Sequence, residues 1–108
     1  MKLLIFVSSN CPHCPNAEKV VEKIAPEYYN YGLCLKKIRM KTSEGKELAS
    51  KYNIMAVPTI LFLDDKNNEI QRIVGSPSED FLRNKIEKSL GLKKSFFSRF
   101  CSLFYNFS

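Results

Sequence analysis

Two cysteines separated by two residues are the feature of this chain with the clearest chemistry. They stand in the segment Cys11-Pro12-His13-Cys14. Two thiols three positions apart on one helical turn can close a small disulfide with little backbone movement, and a thiolate can attack a disulfide in another molecule. The same spacing also suits a pair of metal ligands. The segment therefore predicts either redox chemistry or a thiolate metal site.

The position of the segment favours a thiolate at Cys11. Apolar residues run without interruption from residue 3 to residue 7 and then recur at helical spacing from residue 17, so the cysteines fall at a turn from a strand into a helix. A helix start presents unpaired N–H groups and the positive end of the peptide dipole, and both stabilise an anion. Pro12 suits the first turn, and a protonated His13 adds a cation. We predict a pKa for the Cys11 thiol below the ordinary value of about 8.5.

The remaining pattern predicts the elements that hold this turn. The first helix spans about residues 12–29, and a second strand follows with Cys34 as a small core residue. A short helix capped by Thr42 or Ser43 comes next, and the last helix is capped by Ser78 and ends at Gly91. The predicted boundaries are strands at residues 3–7, 34–40, 59–63 and 69–74, and helices at 12–29, 44–52 and 78–90. This order predicts an α/β fold with a four-stranded mixed sheet (βαβαββα) and helices on both faces.

Length and charge limit the classes of protein. With 108 residues the chain is expected to form one domain, residues 1–92, followed by a tail, residues 93–108. The formal net charge is +6, and the three bases of the tail supply half of it. No basic stripe interleaved with aromatics runs through the domain, so we expect no nucleic-acid partner. No stretch has the length of a membrane-spanning helix, and the first apolar run is too short for an export signal, so we expect the reducing cytoplasm.

The predicted tail is basic and aromatic. It contains five of the eight phenylalanines, together with Lys93, Lys94, Arg99 and Cys101. In a helix its apolar residues would share one face: Phe96, Phe97, Phe100, Leu103, Phe104 and Phe107. Such a face packs on the domain, pairs with a second chain or lies on an anionic membrane surface. We expect packing or dimerisation ahead of membrane contact.

Three marks together resemble the thioredoxin superfamily, in the compact form that lacks the N-terminal strand and helix. They are Cys11-Pro12-His13-Cys14 after the first strand, the segment from Lys51 to Thr59 that contains Val57-Pro58-Thr59, and Gly75 after the fourth strand. The resemblance covers about residues 2–90. It implies a thioredoxin-like fold and a thiol–disulfide oxidoreductase that reduces protein disulfides.

The resemblance also implies roles for single residues. Cys11 is then the nucleophile, Cys14 the resolving thiol and His13 the residue that tunes them. Pro58 is expected to follow a cis peptide bond and, with Val57 and Pro12, to contact an extended substrate segment. We expect no cofactor and no metal. The expected partners are disulfide-containing proteins and, as electron donor, a flavin-dependent thioredoxin reductase or a low-molecular-weight thiol.

Two departures from the family leave alternatives open. Ile5 stands where thioredoxins have a buried aspartate, and Asn10 stands where they have an aromatic residue before the motif. A true glutaredoxin is not favoured either, since Ser76-Pro77-Ser78 follows Gly75 where a Gly-Gly-Asp type of sequence is expected. A disulfide oxidase or isomerase is one alternative, since His13 would destabilise the disulfide. A binding or metal-carrying module is the other, although a zinc site would need Cys34 and Cys101, whose spacing is not that of a usual ligand pair.

Overall fold

A four-stranded sheet forms the centre of the molecule, whose computed structural model describes residues 1–91. Its strands lie in the order β2-β1-β3-β4. The strand β1 is parallel to β2 and antiparallel to β3, which is antiparallel to β4. The strands are β1 (Lys2–Val7), β2 (Cys34–Arg39), β3 (Thr59–Leu63) and β4 (Glu69–Val74). The predicted mixed sheet is confirmed.

Three helices cover the sheet, two on one face and one on the other. They are α1 (Cys14–Ile24), continued by a 3₁₀ segment (Ala25–Tyr31), then α2 (Ser43–Lys51) and α3 (Glu79–Leu90). Alternate residues of β1 serve the two faces, because successive side chains of a strand point to opposite sides. Leu3 and Ile5 pack with α1 and α3, whereas Leu4 and Phe6 pack with α2. Strand β1 is therefore buried on both sides and carries the turn with the cysteines at its end.

The first helix is shorter than predicted at both ends. It begins at Cys14 rather than Pro12, and Pro15 takes the place in the first turn that we assigned to Pro12. It ends at Ile24, because the proline at position 26 falls in a tighter 3₁₀ segment that reaches its left-handed stop at Gly32. Prolines therefore set both limits of the helix.

Side-chain caps fix the starts of the other two helices as the sequence indicates. The Thr42 hydroxyl oxygen accepts a hydrogen bond of 2.9 Å from the Gly45 N–H. The Ser78 hydroxyl oxygen accepts one of 3.2 Å from the Phe81 N–H. Each bond satisfies one of the N–H groups that a helix start leaves unpaired.

The prediction that Cys34 is a core residue is wrong, since its side chain is exposed. The residue begins β2, which is an edge strand, and Lys36 of the same strand reaches water as an edge position allows. Helix α2 has nine residues and is about 14 Å long. A six-residue strand is about 20 Å long. The helix therefore does not cover the end of the strand at which Cys34 lies.

The apolar stripe of α3 is also narrower than its sequence suggests. Leu82 and Ile86 are fully buried, but Phe81, which the helical spacing of the sequence predicts to share their face, is 47% exposed. Residues 93–108, the predicted tail, lie outside the described residues. None of the helices within residues 1–91 combines the length and apolar character that crossing a membrane requires.

Candidate active site

The end of β1 delivers the two cysteines to one end of the sheet. After Val7 the chain turns, and the Cys11 N–H donates a 3.3 Å hydrogen bond to the Ser8 carbonyl oxygen. A second contact tightens this turn, from the Asn10 N–H to the Ser8 hydroxyl oxygen at 3.5 Å. The turn leads directly into α1. Cys11 is thus fixed by backbone contacts to a strand that is itself buried.

The structure joins Cys11 and Cys14 as a disulfide pair whose Cα atoms lie 5.4 Å apart. This separation is within the range that disulfides use, so the backbone is already placed for the bond. The two residues differ in exposure. Cys14 is 1% exposed, whereas Cys11 is partly exposed. Of the two cysteines, Cys11 is therefore the one that a molecule arriving from solution can contact.

Cys11 lies just before α1, not on its first turn. His13 is the N-cap residue, and its side chain makes no capping hydrogen bond. No acidic side chain stands in the first turn of α1, so nothing there opposes the positive end of the helix dipole. Pro12 and His13 are both exposed beside the pair. The local field favours an anion at this end of α1.

The loop before β3 lies at the same end of the sheet. Because Phe6 pairs with Thr59, the residues that follow β1 and those that precede β3 are neighbours. Cys11 and Val57 pack against the same core cluster. The Val57–Pro58 peptide bond is cis. Pro58 is buried and Val57 is half-buried, so the sequence-predicted site residues are brought together here.

Two hydrogen bonds hold this proline loop. The Thr59 hydroxyl donates to the Ala56 carbonyl oxygen at 2.6 Å, and the Gly75 N–H donates to the Pro58 carbonyl oxygen at 2.9 Å. Gly75 has φ +101°, a conformation that L side chains rarely adopt. Within residues 1–91 the N–H and C=O of Val57 have no hydrogen-bond partner. They are available to a bound segment.

Sequence reasoning missed two apolar side chains that flank this end. Met55 is 83% exposed in the proline loop, and Val74, the partner of Thr59 on β4, is 62% exposed. An apolar residue in a loop just before a proline was the available signal for Met55. Val74 carries no such signal, because its place in a strand pattern predicts burial.

Within residues 1–91 no buried carboxylate accompanies the pair. Ile5 is 2% exposed in the core cluster that also contains Cys14, and Thr59 is the buried polar residue of the described chain. Within residues 1–91 no three His, Cys, Asp or Glu side chains gather as metal ligands. The site therefore combines a partly exposed Cys11 and a buried Cys14 with the unpaired backbone groups of Val57.

Known proteins match this chain over most of its length. A family model described as Thioredoxin matches residues 1–88. A protein named "Probable Thioredoxin" from Archaeoglobus fulgidus is 38% identical over 87 residues, which are 81% of this chain and 87% of that protein. A thioredoxin from Methanocaldococcus jannaschii is 34% identical over 90 residues, 83% of this chain and 96% of that protein.

Solved structures agree with these sequence matches. The X-ray structure of Fasciola hepatica thioredoxin superposes with a TM-score of 0.68 at 29% identity, covering 81% of this chain and 78% of that one. The germline-specific thioredoxin Deadhead of Drosophila melanogaster gives a TM-score of 0.69 at 28% identity, with the same coverage.

Proposed function

We propose that this chain, which belongs to the thioredoxin family and is a thiol–disulfide oxidoreductase, reduces disulfides in other proteins. Cys11 and Cys14 carry out the reduction. The observation that supports this most directly is the unequal exposure of the two cysteines. An accessible Cys11 can start the exchange, and an enclosed Cys14 can only finish it.

The reaction then runs in two exchanges. The Cys11 thiolate attacks one sulfur of the substrate disulfide, and the other substrate sulfur leaves as a thiolate that takes a proton from water. A mixed disulfide now joins Cys11 to the substrate. The Cys14 thiolate attacks the Cys11 sulfur and expels the second substrate thiolate. The substrate gains two electrons, and Cys11 and Cys14 end as a disulfide.

His13 and Pro12 adjust the reactivity of Cys11. An imidazolium at the exposed His13 position lies two residues from the nucleophile and stabilises its thiolate, which adds to the effect of the helix start. Pro12 keeps the turn between the cysteines tight and forms part of the exposed surface that a substrate touches. Since the structure provides no buried acid at Ile5, we propose that the Cys14 proton passes to water or to His13.

Val57 and Pro58 bind the substrate segment. The unpaired N–H and C=O of Val57 pair with an extended chain in β fashion, and Pro58 presents no N–H near the thiolate. Met55 and Val74 lie exposed on either side and contact apolar side chains of that segment. We place the reaction in the reducing cytoplasm, with a flavin-dependent thioredoxin reductase or a low-molecular-weight thiol as electron donor.

The test is trapping together with a measured potential. Cys14→Ser should accumulate a mixed disulfide on Cys11 with a disulfide-containing protein such as insulin, whereas Cys11→Ser should trap none. A reduction potential of about −270 mV supports the reductase, and one of about −120 mV would assign the chain to disulfide formation instead. Mixed disulfides that form equally on Cys14 in the Cys11→Ser variant would contradict the assigned roles.

A further inference from the structure

A cleft of about 450 Å³ opens on the face of the sheet that α2 covers only in part. We call it the edge cleft. Its floor is apolar, formed by Leu4, Leu48 and Leu63, and Cys34 lies at its border. Its size is that of a site that binds small molecules or side chains. It lies at the opposite end of the sheet from the cysteine pair, because Lys2, not Val7, pairs with Cys34.

The cleft exists because one short helix has to cover a whole face. Helix α2 is about 14 Å long, and the strands beneath it are about 20 Å long. Among the described strands, β2 has no neighbour on its outer side. An open strand edge beside an apolar floor is a surface that proteins usually cover.

We propose that residues 93–108 of this chain fill the edge cleft. Helix α3 ends at Leu90, at the end of the sheet where the cleft opens. The Gln71 side chain donates to the Lys85 carbonyl oxygen at 3.0 Å, and Gln71 pairs with Phe62, next to Leu63 of the cleft floor. The tail therefore starts at the same end of the sheet as the cleft, on the opposite face.

The length of the tail is sufficient for this path. Layers packed on a sheet lie about 10 Å from it, so the route from the α3 layer around the sheet to the cleft is on the order of 30 Å. An extended chain spans about 3.3–3.6 Å per residue, so roughly nine residues cover that distance. Counting from Gly91, the chain reaches the cleft near residue 100 and leaves its last aromatic residues to fill it.

The chemistry of the two surfaces also matches. Phenylalanine rings complement a leucine floor, and Tyr52 adds an aromatic wall whose ring takes the Lys51 ammonium at 5.3 Å. The other two rim lysines are paired within the cleft, Lys36 with Glu44 and Lys2 with the Asn67 side chain. The tail's own cations stand at positions 93, 94 and 99, on the part that crosses to the cleft. A segment tethered to the same chain acts at an effective concentration in the millimolar range for a short linker, which favours it over a second copy.

The accessibility of Cys34 measures whether the tail is docked. The full chain with Cys101→Ser, and with Cys11 and Cys14 oxidised, has Cys34 as its reactive thiol, and N-ethylmaleimide reports its alkylation rate. We expect alkylation to be at least about tenfold slower than in the same protein with Phe100, Phe104 and Phe107 replaced by serine, because a tethered segment that is docked most of the time leaves Cys34 exposed for only a small fraction of the time. Circular dichroism checks that both proteins remain folded.

The control and the contrary outcomes separate the possible occupants. The control is a cysteine at the exposed position 84 of α3, introduced as Asn84→Cys in a chain with Cys34→Ser. N-ethylmaleimide should alkylate it at the same rate whether the tail is unchanged or carries the serine replacements. Equal Cys34 rates with the two tails overturn the proposal. Protection that grows with protein concentration also overturns it, since a second copy is then the occupant. Co-sedimentation with anionic vesicles at an unchanged Cys34 rate overturns it in favour of a membrane surface.

Docking can also be trapped chemically. In the wild-type chain, with Cys11 and Cys14 already oxidised, diamide accepts the two hydrogens that Cys34 and Cys101 lose on forming a disulfide. At micromolar protein we expect this bond within one chain, identified by peptide mass mapping. A bond found only between two chains, or none, contradicts the proposal.

Discussion

Thr59 offers the sharpest test of how the proline loop supports activity. Its side chain is 1% exposed, and its hydroxyl donates a 2.6 Å hydrogen bond to the Ala56 carbonyl oxygen, which anchors the loop that carries Val57. Replacement by valine keeps the shape and removes the bond. Replacement by serine keeps the bond and removes a methyl group. The two variants therefore separate the anchor from the packing.

The two variants are expected to have opposite effects on stability and on activity. In Thr59→Val the lost hydrogen bond costs about 1 kcal/mol, and the added methyl group returns about 0.8 kcal/mol of burial, so the free energy of unfolding should change little. In Thr59→Ser the missing methyl group should lower the free energy of unfolding by about 1 kcal/mol. For activity, about 1 kcal/mol of lost loop positioning corresponds to roughly a fivefold decrease in kcat/KM for Thr59→Val, with Thr59→Ser near wild type.

Urea denaturation and an insulin-reduction assay measure the two quantities on the same preparations. We expect Thr59→Val to keep the stability of the wild type but to reduce insulin more slowly. We expect Thr59→Ser to be less stable but to reduce insulin at nearly the wild-type rate. If serine loses more activity than valine, or if valine reduces insulin at the wild-type rate, the Thr59 hydroxyl does not position the loop. Such a result would also contradict the role of the Val57 backbone in binding the substrate segment.

Four further substitutions test other parts of the structure. Tyr28→Phe removes the 2.6 Å bond from its hydroxyl to a glutamate on α3 and should lower the free energy of unfolding by about 1–2 kcal/mol. Burial, followed by that carboxylate, raises the pKa of Tyr28, so its advantage over phenylalanine should hold below about pH 10 and shrink above it, as urea melts across pH would show. Gly75→Ala and Gly32→Ala both place a side chain at positive φ and should each cost about 1–2 kcal/mol, but only the first should slow insulin reduction. His13→Ser should shift the alkylation of Cys11 to higher pH, and an unchanged pH profile would remove His13 from the tuning of that thiol.

Much of the fold is encoded in patterns that act over a few residues. The caps at Thr42 and Ser78 depend on side chains that bond three residues along the chain, so their helix starts were predictable. The hairpin from β3 to β4 was also predictable, since a short polar turn links the apolar strand β3 to the half-polar strand β4. The first helix was harder, because two prolines compete to mark its start and only the folded turn decides that Pro15 and not Pro12 lies in the helix.

The candidate site also depends partly on local sequence and partly on the tertiary structure. The order of Cys11, Cys14 and Pro58 along the chain, and the elements on which they lie, follow from the sequence. Their assembly at one end of the sheet depends on the pairing of Phe6 with Thr59, which no local pattern specifies. The exposure of Met55 is likewise a property of the assembled loop.

The sequence by itself determined the elements, their order and the pair of thiols at the start of α1, because backbone hydrogen bonding and the period of apolar residues act locally. Only the tertiary structure decided which surfaces remain open to water. Cys34 has the pattern of a core residue, yet it is exposed, because a nine-residue helix is too short to cover its end of the sheet. Burial depends on the reach of elements distant in sequence, and that reach is set when the layers pack together.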